Sequence, residues 1–351
     1  MINPLFAHKL LDRLPWTIAG PLKRRYPEPF GFYFVFNKNP LIVLIPEDFF
    51  DELWRWTPLF EALKKRRVYF IGLVRSGFEF DPPGYKPLIS SVLAAHAQKY
   101  PEHRFIMLAN NPAQAQIYTE LGIETAFINQ NCLQDDTAIS INPAAPKRFD
   151  AIYNAACAPY KRLELAAQVE NLAVITYLQP RHLDYFEHSK NLLAHAQWLN
   201  FPDGNPNKEP YHSIPGPEVC GLLNQSRVGL CLSHIEGSMF AAIEYLLAGL
   251  PIVSTPSFGG RDVFFDDAYV AIVEADPEAV RIGVQQMLDK QLDPYEIRTE
   301  TLRKMAVHRQ RLVDLIVDIA AREGVEADRQ SVYAHVFPNP IYKLRPLHKI
   351  L

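Results

Sequence analysis

Cysteine and glycine are both scarce in this chain, at 4 and 16 residues in 351. Cys132, Cys157, Cys220 and Cys231 stand far apart, with no CxxC pair and no metal-ligand spacing. That argues against a disulfide framework and for free thiols in a reducing compartment. Only six glycines fall within residues 1–150, and none makes GxGxxG or GxxxxGK[ST]. The usual backbone cradle of a nicotinamide or flavin enzyme, or of a P-loop, is therefore missing. An excess of one charge is missing too. Lys plus Arg number 36 against 39 Asp plus Glu, for a formal net charge of -3, which speaks against a dedicated nucleic-acid binder. No apolar run approaches the roughly 18 residues of a membrane span. The opening "MINPLFAHKLLDRLPW" lacks the long apolar core and small-residue cleavage site of a secretory signal. A cytoplasmic protein is the expectation.

What the chain does have is a regular alternation. Its 48% hydrophobic and 21% charged residues are ordinary for a globular protein, and its length suggests about two domains of ~150 residues. "FYFVF" (32–36), "LIVLI" (41–45), "RVYFIGLV" (67–74), "RFIML" (104–108) and "TAFIN" (125–129) read as strands. The segments "FFDELWRWTPLFEALKK", "KPLISSVLAAHAQKY" and "NPAQAQIYTELG" between them have helical spacing. This βα order predicts a parallel sheet covered on both faces. A polar stretch, "QNCLQDDTAISINPAAPKR" (130–148), interrupts it, and the alternation then resumes. "FDAIYNA" is a strand, "KRLELAAQVEN" a helix and "LAVITYL" a strand; a proline-rich loop, the helix "GPEVCGLLNQS" and the strand "RVGLCLS" follow. "PEAVRIGVQQMLDK" is a further helix, and "YEIRTETLRKMAVHRQRLVDLIVDIAAREG" closes the second domain. Two doubly wound α/β domains in series are expected, dividing near residue 145, with a ligand cleft between them at the strand carboxyl ends.

One stretch carries chemistry: "SHIEGSMFAAIEYLLAGLPIVSTPSFGG", from Ser233 to Gly260. Its helix, from about Met239 to Leu247, is apolar on nearly every face, yet contains Glu244, while Glu236 stands in the loop before it. Amides at the start of such a helix are unpaired and carry partial positive charge, so they can hold a phosphate without basic side chains. Gly237 would let a ligand approach the main chain. Glu244, among Phe240, Ile243, Leu246 and Leu247, is costly to bury as an anion unless donors meet it, and ribose hydroxyls are suitable donors. Taken singly, Glu236 can merely complement the helix dipole and Glu244 can point to solvent.

In order, Ser233, Glu236 and Glu244 with seven residues between them, "AGLPIVST" (248–255) and Gly259-Gly260 resemble the signature of the retaining glycosyltransferases of two-domain GT-B fold, specifically the large family 4 group. The match is good over residues 149–290 and is one of fold type alone over residues 1–145. The resemblance implies an α/β GT-B protein whose two Rossmann-like domains face a central cleft. Residues 1–145 would form the acceptor-side domain and residues 146–325 the nucleotide-sugar-binding domain, with residues 326–351 a tail packing back on the first. Glu236 and Lys161 would be catalytic. Glu236 would lie beside the transferred sugar, and Lys161, in "YNAACAPYKRLELA", would neutralise the leaving diphosphate. Glu244 would bind the ribose. Gly237, Ser238 and Met239 would touch the phosphates, with Asn154, Arg162 and Arg261 also on the donor. The arginine common about six positions before the lysine is absent, since position 155 is Ala, so either Arg162 replaces it or the leaving group is held differently. Asp262 beside Arg261 fits a loop ion pair equally well.

No metal or cofactor is expected. The helix dipole and Lys161 would do the work of Mg²⁺, although Asp266-Asp267 leaves an acidic pair in the second domain. The partners implied are a nucleotide-diphosphate sugar and a saccharide or lipid-linked acceptor, with no nucleic acid. The family's first-domain histidine has no counterpart, since His96 and His103 lie on or after a helix; Asn129 or Asn131 is the candidate for an acceptor contact. Peripheral membrane contact is weighed on "NPLFAHKLLDRL", "PLKRRYP" and "EALKKRR" (61–67), against the plainer reading that Lys64 to Arg67 complement a helix C-terminus. Two alternatives stay open: a GT-B-fold sugar-nucleotide epimerase or hydrolase, and a non-catalytic nucleotide-sugar-binding partner.

Overall fold

A computed structural model describes residues 14–15, 17–18, 33–37, 40–45, 57–73, 85–207 and 211–337. Its contacts divide the chain into two units, residues 1–133 with 308–351, and residues 134–307.

The first unit is built on strands β1 (Tyr33–Asn37), β2 (Leu41–Ile45), β3 (Val68–Leu73), β4 (His103–Ala109) and β5 (Glu124–Phe127). They lie side by side in that order. β2 to β5 are parallel, whereas β1 is antiparallel to β2. The expected all-parallel order fails there because residues 38–40 are too short for a crossover. Helices α1 (Thr57–Leu63), α2 (Tyr85–Lys99) and α3 (Pro112–Glu120) connect the parallel strands. With strands in sequence order, right-handed crossovers bring all three helices to one face. The side chains agree: Phe60 of α1 meets Phe70 edge-on, and Ile89 of α2 and Tyr118 of α3 pack with Met107.

Along β3 and β4 the alternate residues Tyr69, Ile71, Leu73, Ile106 and Leu108 face the other way. There they pack with Leu312, Val313, Ile316, Ile319, Val332, Val336 and Phe337. So the described strands of this unit show no reversal of order, unlike the doubly wound sheet expected.

The second unit holds β6 (Phe149–Ala156), β7 (Leu172–Tyr177), α4 (Leu183–Leu192), β8 (Gln197–Trp198), α5 (Gly216–Asn224), β9 (Ser226–Cys231), β10 (Ile235–Glu236), α6 (Phe240–Leu247), β11 (Ile252–Ser254), β12 (Phe258–Gly259), β13 (Val270–Ile272) and α7 (Pro277–Asp289). Six strands form a parallel sheet in the order β13-β11-β9-β6-β7-β8, and β10 pairs with β12 beside it. The first strand, β6, lies at the centre, and the order reverses between β6 and β9. Loops leaving those two strands at their carboxyl ends part in opposite directions, which opens a crevice. The core beneath holds Phe149, Tyr153, Leu230, Tyr245 and Trp198, each at most 1% exposed.

Both unit divisions differ from the expected 145/146 and 325/326. Ile139 belongs to the second core, and Asn142 and Lys147 bond to Asn224 and Ser226, so the polar stretch is anchored on the second unit. The helix expected to close the second domain is α8 (Pro294–Arg322). Ile297 and Met305, in its first half, lie in the second unit's core; from Leu312 onward its buried residues lie in the first unit's. In the tail, α9 (Arg329–Val336) is capped by Asp328, whose carboxylate accepts the Ser331 amide at 2.8 Å.

Candidate functional site

The crevice between β6 and β9 is built from three segments of the second unit. The first leaves β6. Where a helix was expected over 161–171, the chain makes two 3₁₀ turns, Pro159–Lys161 and Leu163–Ala166. Between them Arg162 takes a left-handed φ of 52°, a conformation that interrupts any helix. Side chains hold the turn. The Tyr153 hydroxyl donates to the Lys161 carbonyl. The Tyr185 hydroxyl accepts the Leu163 amide at 2.8 Å and donates to Glu164 at 2.7 Å. Tyr185 belongs to α4, a helix that lies within the expected proline-rich loop; the 3₁₀ turn Pro180–His182 before it obscured an otherwise amphipathic segment.

The second segment leaves β9 and runs to Glu236. Here Lys161 and Glu236 meet: the Lys161 ammonium donates to Oε1 of Glu236, and each residue is 7% exposed. Lys161 is thus not a solvated turn residue but half of a buried ion pair. Removing either partner alone would leave an uncompensated charge in a site that water scarcely reaches. One bifurcated hydrogen bond pins this loop from the residue after β12: the Gly260 N–H is shared between the carbonyls of Glu236, at 3.0 Å, and Gly237, at 2.9 Å. Gly259 has φ +102°, and a Cβ there would stand 1.8 Å from the Glu236 carbonyl oxygen. Only glycine lets β12 approach β10 this closely.

The third segment is α6. Its N-cap, Met239, has extended backbone and no capping side chain, so the positive end of the helix dipole is not answered by a cap. Gly237 and Met239 are buried and Ser238 half-buried. Glu244 is half-buried on this helix and accepts from Nδ2 of Asn154 at 3.2 Å. Burial pushes its carboxyl pKa up, and the Asn154 bond opposes that in part. Tyr245, next in line, lies on β9 through a contact that glycine permits, since a Cβ on Gly229 would fall 2.4 Å from its ring. Its hydroxyl accepts the Asn154 amide at 2.6 Å. Tyr153 and Tyr245 were not anticipated; the signal available was a tyrosine in an apolar element opposite a lone strand glycine.

Two arginines expected on the donor hydrogen-bond within the chain. Arg261, 1% exposed, donates Nη1 to the carbonyls of Cys231 and Ser233 at 2.9 and 2.8 Å, and Nη2 to that of Thr255 at 2.7 Å. Its Nε pairs with Asp262 at 2.6 Å, the loop ion pair weighed for these two residues. Arg162 donates to the Leu232 carbonyl at 2.7 Å and to the Thr255 hydroxyl at 2.6 Å. Burial lowers its pKa. Both guanidiniums stitch the loops after β9 and β11 together, which sets the path of the chain toward Glu236.

The remaining candidates divide. In the first unit His96 and His103 are buried against each other at 3.0 Å among Phe60, Tyr100 and Phe105, so they serve the core. Asn129 and Asn131 are fully buried after β5; Asn129 donates to the Asn110 carbonyl at 2.9 Å, and its own amide donates to Nδ1 of His308 at 3.2 Å. Lys64 pairs with Glu61 at 3.5 Å, and Arg67 with Glu102 at 3.0 Å and Glu323 at 3.8 Å. These cations answer neighbouring acids rather than a helix terminus. "NPLFAHKLLDR" and "PLKRRYP" lie outside the described residues. Asp266 pairs with Lys304 at 3.2 Å. Among the described residues no three His, Cys, Asp or Glu side chains form a metal-binding group, and no helix is long and apolar enough to cross a membrane.

No protein-family model and no curated sequence matches the chain. Solved structures do. HepE of Anabaena, in complex with UDP, aligns with a TM-score of 0.55 at 11% identity, covering 85% of this chain and 78% of its own. Sucrose-phosphate synthase of Thermosynechococcus elongatus aligns at 0.53 and 13% identity, covering 86% and 74%. A glycosyltransferase from Rickettsia africae aligns at 0.51 and 13%, covering 81% and 75%. The fold is the GT-B fold. At such identities the likeness extends to the fold alone, and the chemistry has to be argued from the crevice.

Proposed function

We propose that this chain is a glycosyltransferase that moves a hexose-type sugar from a nucleotide-diphosphate donor to a hydroxyl of a saccharide or lipid-linked saccharide, with retention at the sugar carbon. The observation that carries the reading is the meeting of Lys161 and Glu236 at the point where strand order reverses, beside the uncapped start of α6. HepE has been solved with UDP and with UDP-glucose, which supports the same class of donor here.

Each residue has a task in this reading. Glu244, steadied by Asn154, accepts hydrogen bonds from the ribose hydroxyls. The amides of Gly237, Ser238 and Met239 and the Lys161 ammonium surround the diphosphate. When the bond between the sugar carbon and the phosphate oxygen breaks, its electron pair moves to the diphosphate. Fixed donors already aimed there stabilise that charge without reorganising. The acceptor oxygen forms the new bond to the sugar carbon, and its proton passes to the oxygen of the departing diphosphate. Glu236 lies beside the sugar and interacts with it as positive charge develops on the ring. Arg162 and Arg261 act through the backbone, holding the loop on which Glu236 stands. No metal or cofactor enters this account, the cation at the leaving group being Lys161.

Calorimetric titration with UDP, GDP, ADP and their sugar conjugates identifies the donor. Product analysis with and without an acceptor extract then separates transfer from epimerisation, hydrolysis and simple binding. Lys161→Met should slow transfer by about 10²-fold or more. A wild-type rate in that variant, folded as judged by its melting curve, would place the diphosphate elsewhere.

A further inference from the structure

We propose that the Lys161–Glu236 ion pair is a resting latch. The donor diphosphate draws Lys161 off Glu236, and the carboxylate thus uncovered is met by hydroxyls of the donor sugar, so one lysine couples phosphate capture to sugar recognition. The proposal rests on the nucleotide-sugar reading above and deepens it.

Three observations support it. First, the ammonium and the carboxylate occupy each other, both residues being 7% exposed. A diphosphate at this crevice therefore meets a lysine already engaged. Second, the main chain on both sides is pinned. Tyr153 holds the Lys161 carbonyl, and Gly260 holds the carbonyls of Glu236 and Gly237. The exchange of partners falls to the Lys161 side chain, whose four-carbon stem rotates freely compared with the backbone. Third, the competition favours the phosphate once it arrives. A diphosphate carries more negative charge than one carboxylate, and the positive dipole end of α6, which no side chain caps, adds to its side.

The exchange has a consequence for affinity. Glu236, deprived of its counter-ion, is left as a buried carboxylate without a partner, which is unfavourable. Free nucleoside diphosphate bears that penalty in full. A nucleotide sugar offsets it by placing hydroxyl donors at Glu236. The resting enzyme thereby discriminates against its own nucleotide product.

The test is titration calorimetry of whichever of UDP, GDP or ADP binds the wild type, against wild type, Glu236→Gln, Lys161→Met and the double variant. Melting curves serve as the folding check, and Glu236→Ala is a second variant expected to act in the same direction. Glu236→Gln should bind the free diphosphate about tenfold tighter or more, because Lys161 no longer has to leave a carboxylate. In the Lys161→Met background the same change should bring little gain. Unchanged or weaker diphosphate binding in folded Glu236→Gln overturns the latch. So does a gain that survives in Lys161→Met, since it would reflect plain repulsion between carboxylate and phosphates. If none of the three nucleotides binds wild type or Glu236→Gln, the nucleotide-sugar reading falls first and takes the latch with it.

Discussion

Gly259→Ala is the most exacting perturbation of this site, because its effect is set by distances rather than by an assumed ligand. The residue has φ +102°, and the added methyl carbon would fall 1.8 Å from the carbonyl oxygen and 2.7 Å from the carbonyl carbon of Glu236. Both obstacles are backbone, so no rotamer change relieves them. β12 has to move away from β10 by more than an ångström, and the shared Gly260 bond to Glu236 and Gly237 breaks with it. Backbone strain of about 1–3 kcal/mol and the lost bifurcated hydrogen bond, about 1 kcal/mol, add to a destabilisation of about 2–4 kcal/mol. For a unit of this size that lowers its melting temperature by roughly 10 °C. Transfer should fall by about 10²-fold, since Glu236 is displaced by a comparable distance. Gly122→Ala is the control. Its φ is +75° with nothing within 4 Å of the new methyl, so it bears the conformational term alone, about 1–2 kcal/mol. Calorimetric scans and initial rates on the two variants isolate the clash. Equal melting temperatures and equal rates would refute the claim that β12 braces Glu236.

Three further outcomes are expected. Glu244→Gln should weaken free-nucleotide binding by about 1.5–3 kcal/mol while leaving the fold at least as stable at pH 7. Burial raises the Glu244 pKa, so its stabilising protonated form is lost as pH rises through the folded value; unchanged nucleotide affinity would detach Glu244 from the ribose. Acid should destabilise the first unit through its buried histidines. Burial lowers the pKa of His96 and of His308 from 6.5 to about 4, so the folded state binds fewer protons than the unfolded chain between those values. Stability is complete above about pH 6.5 and falls toward pH 4, by about 3 kcal/mol per histidine. Calorimetry across that range on wild type and His96→Gln should show a shallower acid limb in the variant, and identical limbs would contradict the assignment. Finally, transfer should persist in excess EDTA; loss of turnover restored by Mg²⁺ or Mn²⁺ would show that Lys161 and the α6 amides do not suffice for the leaving group.

How much of this was legible beforehand differs between the units. In the second, the run from Ser233 to Gly260 maps onto a strand exit, an uncapped helix and a glycine brace. Its residue types are demanded by local geometry: φ at Gly259, an open N-terminus at Met239, an acid in an apolar helix. Arg162 and Arg261 were expected on the donor; in sequence a basic residue reads alike whether it faces a ligand or carbonyls. Only the positions of Leu232, Ser233 and Thr255 tell them apart. The helix expected after Lys161 failed for a related reason. Its propensities are helical, but hydroxyls from Tyr153 and Tyr185, the latter from a distant segment, hold a left-handed turn in its place.

Period and composition, which depend on neighbours a few residues apart, determined by themselves that this chain is α/β, that it divides into two units and that one acid-bearing helix follows a glycine-containing strand exit. Tertiary structure decided what those neighbours cannot: that β6 lies beside β9, that α8 is divided between two cores, and that Lys161 and Glu236 share one buried charge pair. Seventy-five positions separate the members of that pair. The pairing exists because β6 and β9 are adjacent in a sheet whose order reverses between them, and no local pattern encodes that adjacency.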